Sequence, residues 1–462
     1  MTDVQMRLPL GLGYRLRTLV YARASHEVIA FCLVSHVVIG RTTVLLVRDV
    51  LSLSECDYLD DPGHGAAWRG SAMLPVIERA MSEGLGIVVV HAHDFSGKAR
   101  MSFDDLASAR RLVPMFQARV PGRPHGSIVL GQGTAAGFIA TPGCAPGMVE
   151  QLRVQWIGSS IVDWPDTSDD PRFDREVFDR QALVVGEQAQ LARARVAVVG
   201  LSGGGSPTVQ GLTMAGVGTI IGIDPDHCEP SNGHKLVGMR PIDGRLRTPK
   251  VEVMSRLVQE IGNGTEFIGI QARVPEPRTV EALASANVVV GCGDNLHMRA
   301  DLMEVAWRHA IPYIDEGVSI RALKGTADDS RVAIGGNVHV FIPGGFCAWC
   351  CGFISDEKLR AERGGREDRS YFQNKKGEAQ VASFNATVAG QAVSEVLQLL
   401  TGYRGTTLDP DRLRTDEGVQ RGMLKFDGLR GTLEDWGARR RPDCPFCATT
   451  LAAGTVVWTE AA

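Results

Sequence analysis

The sequence predicts an α/β protein in two parts, the second a doubly wound sheet of mostly parallel strands. Three observations carry that reading. Apolar runs of strand length at 26–34, 44–47 and 86–90 alternate with helical patterns at 72–82 and 103–116. Further runs at 195–199, 219–223, 266–270, 286–290 and 311–314 are again separated by longer segments. Between the first two of these lies a glycine-rich turn, Gly200-Leu201-Ser202-Gly203-Gly204-Gly205, so that 195–224 reads as a βαβ unit of about 30 residues.

Taken in order, 1–150 forms the first α/β domain. Residues 151–174 carry the string GSSIVDWPDTSDDPRF, whose Pro, Gly, Asp and Ser content reads as a linker. A helix at 175–194 then opens the second domain, 175–462. The chain has 462 residues, long enough for two or three domains, and its 49 basic against 53 acidic side chains give a net charge of −4. That charge supplies no basic field for nucleic acid. The apolar runs fall far short of the roughly 20 residues of a spanning helix, and the first residues lack a signal-peptide pattern, so a cytoplasmic, non-membrane protein is expected. There the ten cysteines are better read as metal ligands or reactive thiols than as disulfides.

The run 86–90 ends in His91-Ala92-His93. Two histidines at i and i+2 on a strand share one face, and an Asp from the next helix can complete a three-ligand metal site with a fourth position open, the arrangement used for hydrolysis. The pair alone also fits histidines that are merely satisfied or exposed. The whole string, His91-x-His93, eight residues, then Ser102-x-x-Asp105, resembles the JAMM motif of the JAB/MPN metallopeptidases, which cleave after the C-terminal glycine of ubiquitin-like proteins. The resemblance implies His91, His93 and Asp105 as ligands of a catalytic Zn2+, Ser102 as oxyanion stabiliser and Glu27 as general base, with Glu55 its rival. Asp94 stands where that family usually has Pro.

The glycine turn brings backbone NH groups and a helix N-terminus to bear on phosphate, and Asp224, 24 residues after Gly200, suits a ribose. An NAD(P) site of an oxidoreductase is compatible with this much. The longer order of Phe178-Asp179-Arg180-Gln181, Asp224-Pro-Asp226, Ser231-Asn232, Lys250, Gly293-Asp294-Asn295 and Arg299 resembles the ThiF/MoeB and ubiquitin-activating superfamily. Its members use ATP to adenylate the C-terminal glycine of a β-grasp protein. The resemblance implies Gly200, Ser202, Gly203 and Gly205 around the phosphates, Asp224 on the ribose, Asn232, Lys235 and Lys250 on the phosphates, and Asp294 on Mg2+. It also implies a homodimer in which Arg180 reaches the partner's phosphates. Lys235 stands where that family has Arg, and Ser202 replaces the second glycine of its loop.

Cys347-Ala-Trp-Cys350 and Cys444-Pro-Phe-Cys447 are two CxxC pairs with 93 residues between Cys350 and Cys444. Two such pairs make a closed, structural zinc site; a redox CxxC is the alternative. Cys32, Cys56, Cys144 and Cys292 read as buried small hydrophobes. The superfamily often carries a thioester cysteine after the first pair. None stands between Cys351 and Cys444, where 354–383 reads as a polar crossover loop, so Cys351 and Cys228 are the candidates.

The combined expectation is a bifunctional enzyme, JAB/MPN domain first and Rossmann-like ThiF domain second, that activates and processes a ubiquitin-like protein, with a conjugating enzyme as a further partner and a setting that resembles bacterial antiphage pathways. Activation and processing of a sulfur carrier is the alternative. An inactive binding scaffold, suggested by Asp94, Ser202 and Lys235, is the third reading.

Overall fold

The computed structural model describes residues 3–22, 27–59, 66–93, 98–165, 172–186, 188–322, 332–363, 379–409 and 422–454. Asp94 and the middle of the crossover stretch, 364–378, lie outside the described residues.

Two mixed sheets organise the chain. The first contains β1 (Asp3–Leu8), β2 (Ala30–Ile39), β3 (Thr42–Ser52), β4 (Gly86–Ala92), β5 (His125–Leu130), β6 (Ala135–Ala140), β7 (Gly147–Val149), β8 (Arg153–Ile157) and β9 (Ile161–Trp164). Its order is β7-β6-β5-β4-β2-β3-β1-β8-β9. Central position explains the continuous apolar text of β4 and of the first half of β2, Ala30 to Val34, whose residues are covered on both faces. The helix Phe103–Arg119 begins where Ser102 caps it: the Ser102 hydroxyl accepts from Asp105 N at 3.1 Å, and the Asp105 carboxylate accepts from Ser102 N at 2.7 Å.

The stretch read as a linker is corrected in its first half. Residues 153–157 and 161–164 are strands of the first sheet, β8 pairing in parallel with β1. The polar turn between them is satisfied by distant chain: Ser159 N donates to Thr407 O at 3.0 Å, and Ser160 Oγ lies 2.8 Å from Thr406 Oγ1.

The second sheet contains β10 (Arg195–Val199), β11 (Thr219–Ile223), β12 (Glu266–Ile270), β13 (Val288–Gly291), β14 (Tyr313–Ala322), β15 (Val332–Phe341), β16 (Met423–Asp427) and β17 (Thr432–Asp435). The order β12-β11-β10-β13-β14 is parallel and doubly wound, and β15 to β17 extend it antiparallel. The strand expected at 311–314 runs on to Ala322. The single helix expected at 175–194 is three short ones, Arg175–Phe178, Ala182–Val185 and Gln188–Arg193, the second break falling where Gly186 takes φ +69°. Part of the crossover stretch is also helical, Asp356–Arg363.

The halves are bonded to one another. Arg7 on β1 donates to His309 O at 2.9 Å and Ala284 O at 3.2 Å, and Leu10 N donates to Pro343 O at 2.9 Å. The segment after Cys447 lies between them: Ser35 Oγ donates to Ala452 O at 2.5 Å and Arg48 to Leu451 O, while Ala452 N donates to Trp307 O at 2.8 Å.

Candidate active sites

In the first half, β4 carries His91, and His93 follows its last residue, so alternation turns both rings the same way. Their Nε2 atoms are 3.2 Å apart. Asp105 Oδ1 lies 3.0 Å from His91 Nε2, and Asp105 Oδ2 lies 3.6 Å from His93 Nε2. The edges of a tetrahedron with zinc–ligand bonds of about 2.05 Å are about 3.3 Å, so this donor set fits zinc. Glu27 Oε1 is 3.5 Å from His93 Nε2, on ground half open to solvent, which places it beside the site; Glu55 instead opens the turn Glu55–Asp57. Burial works to raise the Asp105 carboxyl, but the hydrogen bond and charge of His91 outweigh it and hold it below the usual carboxylate range. The Ser102 Oγ that caps the helix accepts there, leaving its proton to donate elsewhere.

In the second half, the turn 200–205 leaves β10 and opens the helix Gly205–Met214. Gly200 sits at φ +88°, and a Cβ on Gly205 would fall 1.8 Å from Gly200 O, so both positions require glycine. Asp224, just past β11, accepts from Leu201 N at 2.7 Å and from Asp226 N at 2.8 Å. Lys250 Nζ lies 2.9 Å from Asp226 Oδ2 and 3.5 Å from Asp224 Oδ1. Burial pushes the Asp224 carboxyl upward despite Lys250, and the two acids outweigh burial to push the Lys250 ammonium upward. Asn232 and Lys235 lie on a segment moored to the loop helix by Ser206 Oγ, which accepts from Val237 N at 2.9 Å; Asn232 Oδ1 accepts locally from Glu229 N. Gly293 N would be 3.1 Å from a Cβ on Gly200, which brings the exposed Asp294 beside the loop. Asn295 caps the helix Leu296–Arg308, and Arg299 is occupied by Gly293 O at 2.9 Å and Asp315 at 3.3 Å.

Arg180 is not brought to this loop. Its neighbour Gln181 donates to Ala215 O at 2.9 Å, at the far end of the helix Gly205–Met214, about 15 Å away at 1.5 Å per residue.

The four cysteines of the two CxxC pairs converge. Sγ distances are 3.6 Å for Cys347–Cys350 and 3.7 Å for both Cys347–Cys444 and Cys350–Cys447. A disulfide would need about 2.05 Å, whereas zinc–sulfur bonds of about 2.3 Å set tetrahedral edges near 3.8 Å. The cluster therefore fits a closed zinc site. Neither thioester candidate is a poised thiolate: burial pushes the Cys351 thiol to about 11, and Cys228 is fully buried with its thiol raised. Cys56 and Cys144 are exposed, contrary to the expectation that they pack inside.

The sequence reading missed Asp315 and Glu316, buried acids on β14 behind the loop. Two adjacent acids at the end of a buried-strand run were the available signal.

The ThiF family model matches residues 175–446. The SAMP-activating enzyme E1 of Haloferax volcanii is 26% identical over 264 residues, covering 56% of this chain and 82% of its own. The sulfur carrier protein ThiS adenylyltransferase of Escherichia coli is 25% identical over 287 residues, covering 61% of this chain and 96% of its own. Among solved structures, E. coli MccB with ATP covers 62% of this chain and 77% of that one at 19% identity and a TM-score of 0.44.

Proposed function

The chain belongs to the ThiF family through residues 175–446, and from that membership we propose that it is an ATP-dependent adenylyltransferase acting on the C-terminal carboxylate of a ubiquitin-like or sulfur-carrier protein. The observation that carries this reading is the loop 200–205 held between β10 and Asp224 by the Leu201 N bond. A substrate carboxylate oxygen attacks the α-phosphorus of ATP, the bond to the β-phosphate oxygen breaks, and pyrophosphate leaves. The loop amides and helix N-terminus stabilise phosphate charge, Asp224 takes the ribose, and Lys250, Asn232 and Lys235 lie on the phosphate side. Asp294 would hold Mg2+, which supplies charge neutralisation. Membership favours this over hydride transfer. The position of Arg180, a helix length from its own loop, supports a homodimer with shared sites. With Cys228 and Cys351 unsuited as nucleophiles, a nucleophile of an acceptor, such as a conjugating enzyme or a sulfur donor, attacks the carbonyl of the acyl-adenylate directly and AMP leaves.

The first domain, 1–150 extended by β8 and β9, is a JAB/MPN-type zinc peptidase that trims or releases the same modifier. The convergence of Glu27, His91, His93 and Asp105 supports it. His91, His93 and Asp105 would hold zinc, which would supply Lewis acidity to a carbonyl. Glu27 accepts the proton of the attacking water, and Ser102 donates to the oxyanion. The Cys347, Cys350, Cys444, Cys447 cluster would hold a second, structural zinc, which its geometry fits. The sulfur-carrier form is favoured by the match to ThiS adenylyltransferase across 96% of that protein; the ubiquitin-like form, by the presence of the His-Asp site on the same chain.

ATP–pyrophosphate exchange with a candidate β-grasp partner tests the first activity. Exchange that needs the partner and is lost in Asp294→Ala supports it, and no exchange with any partner refutes it. A C-terminally extended modifier tests the second: cleavage unchanged in His91→Ala removes the peptidase.

A further inference from the structure

Behind the phosphate loop stands an acid that the adenylation chemistry above leaves unused. Glu316 on β14 is 1% exposed. Its Oε1 accepts from Thr208 Oγ1 at 2.9 Å, and Thr208 lies in the first turn of the helix Gly205–Met214. A Cβ on Gly204 would sit 3.1 Å from the same oxygen, so the carboxyl abuts the loop backbone and the missing side chain of Gly204 makes room for it. Glu316 Oε2 is buried and has no hydrogen-bond partner among the described residues. An ionised carboxylate left in that state is costly, whereas a neutral acid is tolerated. Burial accordingly pushes this carboxyl up to about 7.

The surrounding charges do not relieve it. On β14 itself Asp315 faces the other side, bonded by the Tyr313 hydroxyl at 2.8 Å and by Arg299. On β15, His339 stands opposite Asp315 in register and so on that far side, with Val338 opposite Glu316. Past β13, the Cys292 thiol, itself raised by burial, hydrogen-bonds the Glu316 carboxyl and with Thr208 favours its ionised form, but burial outweighs both. The helix Gly205–Met214 carries no titratable side chain, and on the helix Ala382–Thr401 the one acid, Glu395, is paired with Arg404.

We infer that Glu316 is a positioning residue for the phosphate loop and that it couples nucleotide binding to proton uptake. Neutral, it braces Thr208 and leaves the positive helix N-terminus to the phosphates of the nucleotide. Ionised, it takes that positive end for itself and repels phosphate across a single layer of backbone. The inference rests on the ATP reading above, and the closing experiment separates the two. By linkage, whatever weakens nucleotide binding on ionisation must raise the affinity of Glu316 for its proton when nucleotide binds.

The test is calorimetric titration of the full chain with Mg2+ and a non-hydrolysable ATP analogue, from about pH 6.5 to about pH 8.5, in two buffers of different ionisation enthalpy. Wild type is expected to show Kd rising at least about fivefold across the range, the low end of common site-to-site coupling, with net proton uptake. Glu316→Gln, neutral at every pH, is expected to hold Kd within about twofold of the wild-type acidic value throughout, with the extra proton uptake gone. Glu316→Leu, which fills the space but offers Thr208 no acceptor, binds weakly at every pH, so rescue by Gln separates positioning from simple filling of space. The same pH curve in wild type and Glu316→Gln overturns the inference while leaving the ATP reading intact. Weak binding by Glu316→Gln at every pH overturns it too, because a permanent carboxylate would then be what the loop needs. Absence of nucleotide binding by wild type at any pH overturns the ATP reading itself, and this inference with it.

Discussion

The carboxylate of Asp224 accepts the backbone NH of Leu201 at 2.7 Å, tying the end of β11 to the first residue past Gly200. One side chain therefore shapes the phosphate turn and stands ready for the nucleotide. Asp224→Ala should raise KM for ATP by roughly 10- to 100-fold in pyrophosphate exchange, the range for losing a hydrogen bond to a charged group. Asp224→Asn, which keeps an acceptor for Leu201 N, should lose less.

Metal content separates the two clusters. Wild type should carry two zinc equivalents by elemental analysis. Cys447→Ser should lose one and lower the melting temperature by several degrees, since that cluster anchors the segment at 451–454 between the halves. His91→Ala should lose the other while melting close to wild type.

Glu27 is half open beside the His93 ring, within metal-sharing reach of both histidines. Glu27→Gln should keep both zinc equivalents and slow cleavage of an extended modifier by about 10²- to 10⁴-fold, the usual contribution of general base catalysis.

Arg7 is buried with its guanidinium spent on His309 O, Ala284 O and Gln155 Oε1. Arg7→Ala strands those acceptors and should cost about 2–5 kcal/mol of stability. Because the bonds cross between the halves, scanning calorimetry should resolve the single unfolding transition of wild type into two.

His309 is held neutral, burial lowering its ring to about 4 while its Nδ1 faces Val305 O at 2.7 Å. The unfolded chain binds a proton there near pH 6.5, so stability is fully present above that value and is lost as pH falls toward about 4. Chemical denaturation across that window should show the decline, and His309→Asn should flatten part of it.

What was legible in the sequence follows from what each signal records. The His91, His93 and Asp105 cluster was readable because short-range spacing brings most of its atoms together, and the four-cysteine cluster because each CxxC pair is itself a local signal. Strand β6 was not, since AAGFIA owes its place to close backbone approach: a Cβ on Gly137 would fall 2.8 Å from Ser127 O. Strands β8 and β9 were masked by the polar turn at Ser159 and Ser160, whose partners lie some 250 residues on, at Thr406 and Thr407. The helix expected at 175–194 is interrupted, the second time at Gly186, whose φ of +69° no helix accommodates. Glu316 was invisible as a site residue because its meaning depends on Gly204 and Thr208, more than a hundred positions earlier.

The bonds from Arg7, Leu10, Ser35 and Arg48 across to the second half have a kinetic meaning. Among the described residues, these bonds mount the two candidate sites on one frame. On the reading proposed above, a modifier handled at both would have to let go and be recaptured, and the flux between the two would then be set by release and by the concentration of free modifier around the enzyme.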